Sequence, residues 1–399
     1  MVSGVNFLTG ILFARFLGIQ EFGRFTLVWM GVLFVSSIQM AIITSPMMSI
    51  GPKQSEKERP AYYGAVVSHQ VCFASLSFLL LYVGAKLSAF IFPDWNIKDL
   101  ALPLASVTFF FQMQDFFRRF YFTQGRHFAA FCNDAISYLG QLTLLLCLFF
   151  SMPLKTTGVL WIIALTSAAA VLVGGLSFGS NYRLQGNFKD IFWRHWSFSR
   201  WLTATALMQW ATGNLFNIFA GGILGLSAVG ALRASQNIIA VCHVLFHGLE
   251  NIVPARASRQ FYEHGVVGLK KYLFYVAKIG GISTAVLLAI VGLWPEYWLV
   301  MFYGPEYQGH GIVLRFLAIA YFLMFAGLIL RVALRTIEFT KPIFISYCIS
   351  TAISLMLSFR LIKSFNVAGA AFIPVVSQVA VIGVLYFSLL KKTSSSIDE

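Results

Sequence analysis

Apolar runs of about twenty residues recur along the chain, separated by short polar breaks. About twenty such residues in a helix cross ~30 Å of hydrocarbon. The pattern predicts twelve spans: about 3–17, 25–50, 62–85, 100–122, 128–150, 157–179, 202–223, 229–254, 272–300, 312–334, 342–362 and 366–390. The first is short and lacks a basic lead-in, which points to a truncated or misassigned start. It also runs straight into a turn, so no cleavable signal peptide is expected. Between spans 6 and 7 the stretch Asn181–Trp201 alternates aromatic and basic residues and is expected to be an interfacial linker. The expected division is therefore an N-terminal lobe 1–180, a linker 181–201 and a C-terminal lobe 202–399.

Span 8 departs most from the apolar pattern. It has the length of a crossing helix yet carries Arg233, Gln236, Asn237, His243, His247, Glu250 and Asn251. On one continuous helix these seven fall within an arc of roughly 140°. Ionisable groups facing lipid are costly, so the stripe should face protein or a water-filled cavity. It reads as the lining of a basic pathway; helix–helix hydrogen bonding with an interfacial arginine is the plainer alternative.

The entry to this span has an earlier echo. Leu224-Gly225-Leu226 followed by Gly230 repeats Leu17-Gly18-Ile19 followed by Gly23, 207 residues before. Pro254 similarly echoes Pro46. A second echo links the ends of spans 4 and 10, where Arg118, Arg119 and a Gly125-Arg126 turn precede Arg331, Arg335 and a Thr340-Lys341 turn. The fold class expected is thus an all-α polytopic membrane protein with about twelve helices in two pseudo-symmetric six-helix lobes around a central cavity.

Composition agrees: 58% of residues are hydrophobic and 11% charged, which excludes a soluble protein of 399 residues. The five cysteines lie in or beside apolar runs, with no metal spacing or disulfide framework. The net charge of +14 has no soluble basic domain to bind nucleic acid. Nineteen lysines and arginines fall in the loops after even-numbered spans and the tail, against seven after odd-numbered spans. The positive-inside rule then places both termini in the cytoplasm.

The run A-R-F-L-G-I-Q-E-F-G-R-F (Ala14–Phe25) resembles the opening signature of polysaccharide-unit flippases. These are the Wzx-like branch, covering O-antigen and exopolysaccharide units, of the multidrug/oligosaccharidyl-lipid/polysaccharide exporter superfamily. Q-M-Q-D-F-F-R-R-F-Y-F-T-Q-G-R-H-F (Gln112–Phe128) resembles the same family's fourth-span region. The resemblance extends to the twelve-span, two-lobe plan. It implies a bacterial inner-membrane protein that moves an undecaprenyl-diphosphate-type oligosaccharide from the inner to the outer leaflet for cell-surface polysaccharide synthesis, lipopolysaccharide included. It also implies rocking of two lobes about a cationic cavity. The chain departs from the peptidoglycan-precursor branch: nothing basic precedes Arg15, and no helices are expected after span 12.

A diphosphate–sugar head group cannot cross hydrocarbon unaided. Arginines replace its hydration with charge-assisted hydrogen bonds. Arg233 is the first candidate for diphosphate contact, with Arg118, Arg119 and Arg331 capturing the head group at the inner end. Gln236, Asn237 and Asn251 suit sugar hydroxyls. His243, His247 and Glu250, at i, i+4 and i+7, are candidates for ion coupling, with Asp115 and Asp134 as further acids near spans. H-V-L-F-H lacks the glutamate of a zinc-protease helix, so no metal, and no cofactor, is expected.

The lipid bilayer and a polysaccharide polymerase or glycosyltransferases are the expected partners. A multidrug or cation exporter of the same superfamily is the nearest rival, and favours acidic residues where this chain has arginines. A membrane glycosyl polymerase or ligase would need a sizeable outer loop with paired catalytic groups; no enzymatic activity is expected. A family member that has lost transport is the third alternative.

Overall fold

The structure, a computed structural model, describes residues 2–149, 154–178 and 188–395; the first part of the expected linker, 181–187, and the last four residues lie outside them. Among the described residues every regular element is helical. The chain runs through α1 (Val2–Gln39), a π-helical turn (Met40–Thr44), α2 (Ser45–Ile50), α3 (Arg59–Ile91), α4 (Ala101–Thr123) and α5 (His127–Asp134). A second π-helical turn (Ala135–Leu139), α6 (Gly140–Phe149), α7 (Thr156–Phe178) and α8 (Phe188–Leu224) follow. Then come α9 (Leu226–Ile239), α10 (Cys242–Leu293), α11 (Pro295–Tyr303), α12 (Gly311–Thr336) and α13 (Lys341–Ser395).

Three elements are too long for one crossing, and each is divided by a residue in the left-handed region. Gly18 (φ 73°, ψ 167°) divides α1, Gly265 (φ 62°, ψ −154°) divides α10 and Asn366 (φ 53°, ψ −138°) divides α13. With these breaks the helices resolve into the twelve expected spans. Seven stretches are long and apolar enough to cross a membrane by composition. Helices α4, α8 and α9 are not among them. Two of these carry the polar candidates: Gln112, Asp115, Arg118 and Arg119 on α4, Arg233, Gln236 and Asn237 on α9.

The chain forms two compact units, Met1–Trp210 and Ala211–Glu399, so that α8 continues from one into the other. Helix α8 runs unbroken through residue 201.

In the first unit, a core of Tyr62, Tyr63, Phe116, Phe117, Phe120 and Tyr121 packs against Ile43, Met47 and Val66. Tyr121 donates from its hydroxyl to the Gly174 carbonyl at 2.7 Å, satisfying the phenol inside an apolar layer. The first half of α8 docks on α3. His195 Nε2 lies 2.8 Å from Tyr62 Oη, and His69 Nε2 lies 3.0 Å from the Phe188 carbonyl. The His195 ring also reaches the carbonyl of Ile42, in the π-helical turn, where the helical hydrogen-bond register is displaced. The Gln-Glu-Phe-Gly-Arg run after Gly18 is explained by ties to other elements. Glu21 Oε2 accepts from the Thr156 amide at 3.0 Å and the Thr156 hydroxyl at 2.7 Å, capping α7. Arg24 pairs with Glu21 at 3.3 Å and donates to the carbonyl of Asn96.

In the second unit, Leu334, Ile343, Val381 and Leu385 join α12 to α13. Glu296 accepts from the amides of Gly309 (3.0 Å) and Gly311 (2.8 Å), capping α12 as Glu21 caps α7.

The two units share local designs. Gly225 (φ 90°, ψ −177°) has the backbone conformation of Gly18, 207 residues earlier. Phe92-Pro93-Asp94-Trp95-Asn96 and Gly304-Pro305-Glu306-Tyr307-Gln308 form the same 3₁₀ turn, each burying its aromatic residue. At the end of α4 the Arg126 amide bonds the Tyr121 carbonyl (2.9 Å) around left-handed Gly125; at the end of α12 the Phe339 amide bonds the Leu334 carbonyl (2.8 Å) around left-handed Glu338. Both are Schellman-type helix ends. The second turn thus pivots on Glu338, two residues before the expected Thr340-Lys341.

Span 8 differs from expectation in two ways. The helix is interrupted at Ala240–Val241, where the His243 amide bonds the Ala240 carbonyl at 2.9 Å in i→i−3 fashion. Arg233, Gln236 and Asn237 therefore sit on α9 and the histidines and Glu250 on α10, so the single-helix arc does not apply. Pro254 does not end the span either; it lies inside α10, which runs on to Gly265. Beyond the proline, Arg259 pairs with Glu263 at 2.7 Å, an i,i+4 contact that favours helix in a polar stretch.

Candidate functional site

The candidate residues fall into three groups. In the first unit, α4 and α5 bring four of them together. Arg118 Nε lies 3.0 Å from Asp134 Oδ2 and Arg118 Nη1 3.8 Å from Asp115; Arg119 Nε donates to Asp115 Oδ2 at 2.9 Å. Gln114 Nε2 donates to Asn133 Oδ1 (2.8 Å) and Asp134 Oδ1 (3.4 Å), while Asn133 donates to the Ala170 carbonyl (3.2 Å). Two guanidinium groups thus face two carboxylates. The group is internally balanced, and the arginines expected to capture an anion are already paired. The side chain of Asp134 is 7% exposed and that of Arg118 26%, so the pair stands at the edge of the protein interior.

The second group lies within the second unit, at the junction of α9, α10, α11 and α12. Arg233 is half-buried and within electrostatic reach of Tyr321 and Tyr303. Asn237, one helical turn on, faces the Tyr303 hydroxyl without closing a hydrogen bond of normal geometry. His243 Nε2 lies 3.1 Å from Tyr321 Oη, and the two rings meet edge to face. The side-chain oxygen of Gln236 is buried without a hydrogen-bond partner among the described residues. Among those residues no carboxylate pairs with Arg233. The phenols of Tyr303 and Tyr321 beside it can accept hydrogen bonds but, being neutral, do not cancel its charge.

The third group centres on Arg331, on the same helix as Tyr321 and roughly 15 Å farther along it. Gly327, one turn back, leaves room for the guanidinium: a Cβ there would lie 3.2 Å from Arg331 Nη1 and 3.9 Å from Gln378 Oε1. Tyr347, Arg335 and Glu250 complete its electrostatic surroundings. Glu250 is exposed and sits with Arg331 rather than with His243. The structure thus divides the expected histidine–glutamate relay between two groups. The side chains of His247 and Asn251 lie outside the described residues.

Sequence reasoning missed Tyr303, Tyr321, Tyr347 and Gln378. For Tyr321, Tyr347 and Gln378 the signal available was a polar atom inside an otherwise apolar span, where each needs a partner; Tyr303 lies between spans 9 and 10. The pairing of Arg118 with Asp134 was also missed, because those residues lie on different helices. Among the described residues no cluster of histidine, cysteine or carboxylate side chains has the geometry of a metal site.

Comparison with known proteins bears on the fold. The MatE family model matches residues 202–359, from the middle of α8 into α13. No curated protein matches the chain. Among solved structures, an inward-facing multidrug resistance MATE family transporter of the MOP superfamily superposes with a TM-score of 0.81 at 13% identity, covering 99% of this chain and 95% of that one. The lipid II flippase MurJ, in an inward closed conformation, gives 0.69 at 13% identity, covering 97% and 85%. An outward-facing multidrug resistance MATE family transporter gives 0.66 at 13% identity, covering 99% and 94%. The chain has a MATE-like, all-helical fold; the apolar pattern predicts its all-helical, polytopic character, and the resemblance of its motifs implies the superfamily.

Proposed function

We propose that this chain is a flippase that carries an isoprenoid-diphosphate-linked oligosaccharide from the cytoplasmic to the outer leaflet of a bacterial inner membrane by alternating access. The observation that carries this reading is Arg233: a half-buried guanidinium beside the Tyr303 and Tyr321 phenols, with no carboxylate partner among the described residues. A permanent charge there disfavours a cationic substrate and favours a diphosphate, whose oxygens match the guanidinium fork. Gln236 and Asn237 on the same helix supply donors and acceptors for sugar hydroxyls. Arg331, with Gln378 beside it, offers a second cationic station on α12. The paired Arg118 and Arg119 are given a lesser part, as groups whose carboxylate partners an incoming phosphate would have to displace. Fold relatives captured facing inward and facing outward support alternating access as the mode of movement.

Export of cationic drugs is the second reading, favoured by the higher fold similarity to a multidrug transporter than to the lipid II flippase. Proteoliposomes loaded with either a labelled isoprenoid-diphosphate oligosaccharide or a cationic dye separate the two. Protein-dependent movement of the oligosaccharide to glycosidase-accessible sites supports the flippase; dye efflux without it supports the exporter.

A further inference from the structure

A cavity of about 560 Å³ opens in the second unit between α10, α12 and α13, and neither Arg233 nor Arg331 lines it. Its walls are apolar, formed by Leu273 and Ala277 of α10, Ala333 and Ile337 of α12, and Leu389 of α13. Its volume falls in the ~300–1,000 Å³ range of ordinary ligand sites. Two charges line it, Lys270 and Lys271, and no carboxylate does so among the described residues. Lys270 shares a helical stripe with Leu273 and Ala277, three and seven residues on, so its stem lies along the groove and its ammonium stands at one end. The lysines come five and six residues after the Gly265 break, and Lys391 and Lys392 follow Leu389 on the opposite wall. The groove is thus apolar along its length and basic at one end. Val267 and Phe274, 78% and 73% exposed, flank it with apolar surface suited to hydrocarbon.

We infer that this groove is a binding site for an anionic glycerophospholipid, with acyl chain between α10, α12 and α13 and phosphate at Lys270 and Lys271. The charge complementarity selects the occupant: an apolar peptide would leave two ammonium groups unanswered, and a zwitterionic lipid would bring its own cation beside them. A phosphate carrying net negative charge satisfies both at the level where lysines reach the membrane interface. The charge distribution of the loops assigns that end to the cytoplasmic leaflet, where anionic head groups attract basic residues. The inference is independent of what the protein transports.

The test is native mass spectrometry of the full chain, delipidated in detergent and titrated with phosphatidylglycerol or phosphatidylcholine of identical chains. One phosphatidylglycerol should be retained with at least roughly tenfold preference. K270Q/K271Q, at two exposed positions, should remove the preference and leave residual binding of both lipids. A277F, which fills the groove, should abolish retention of both. Equal retention of the two lipids by the parent protein would overturn the inference, as would a preference that survives both variants. Displacement of phosphatidylglycerol by equimolar undecaprenyl phosphate would give the groove to a carrier lipid and overturn the assigned occupant.

Discussion

Gly18 and Gly225 hold the same backbone conformation, positive φ with fully extended ψ, 207 residues apart and each at the entry to a membrane helix. Side-chain-bearing residues are nearly excluded from that region, because Cβ meets the flanking peptide. An alanine at Gly225 would have open space around its Cβ, so any cost is backbone strain alone. Gly225→Ala should lower stability by ~1–3 kcal/mol, read as a fall in the thermal midpoint in detergent. Gly213→Ala, in mid-α8 with open space around it, should be neutral or slightly stabilising. Equal midpoints for the two variants would show that the turn is not strained.

The Arg118–Asp134 pair predicts non-additive effects. Asp134→Asn leaves a guanidinium with Asp115 as its remaining partner, and Arg118→Gln leaves a carboxylate 7% exposed. Each single change should cost roughly 1–3 kcal/mol, discounted from a fully buried pair because Arg118 is partly solvated. The double variant should recover part of the loss, giving a coupling of about 1 kcal/mol or more in a double-mutant cycle. Strict additivity would remove the pair as a structural tie.

His195 predicts a pH dependence. It precedes the spanning part of α8, and burial, with His69 and Arg194 nearby, lowers its pKa to about 4. The free imidazole titrates near 6.5, so the unfolded chain binds the extra proton first as pH falls. The contribution of neutral His195 to stability is therefore present above about pH 6.5 and is lost progressively as pH falls toward 4. The full shift corresponds to about 3 kcal/mol. Thermal midpoints measured between pH 7.5 and 4.5 should fall for the parent protein, and fall less for His195→Phe. Parallel curves would place the acid sensitivity elsewhere.

Much of the fold was legible in the chain because hydrocarbon imposes one rule: each crossing needs a long apolar run. The segments follow largely from it, while the Gly18/Gly225 echo and the paired turns near Gly125 and Glu338 were legible as repeated residues. What the pattern hid were local departures. Ala240 and Val241 are ordinary helix-compatible residues, so the interruption between α9 and α10 has no signature in composition. Pro254 looked like a helix end, yet a proline costs less where its missing N–H and displaced carbonyl find other partners. The repeated Phe-Pro-Asp-Trp-Asn and Gly-Pro-Glu-Tyr-Gln turns were within reach, hidden because only proline is identical.

The candidate site was legible at the level of single residues and not of their partners. Polar residues in membrane helices stand out individually, but their neighbours come from other helices. Asp134 therefore emerged as the partner of Arg118, Tyr321 as the partner of His243, and Glu250 as a neighbour of Arg331.

The central claim, that Arg233 handles an anionic head group, is tested most directly by replacing that residue. Parent protein and Arg233→Ala are reconstituted in equal folded amounts with a labelled isoprenoid-diphosphate oligosaccharide, and exposure of the sugar to external glycosidase is followed. The account predicts protein-dependent exposure that slows at least roughly tenfold in Arg233→Ala, the loss of one charge-assisted contact of about 1.5–3 kcal/mol, with Arg233→Lys between the two. Exposure at the parental rate in Arg233→Ala would contradict it.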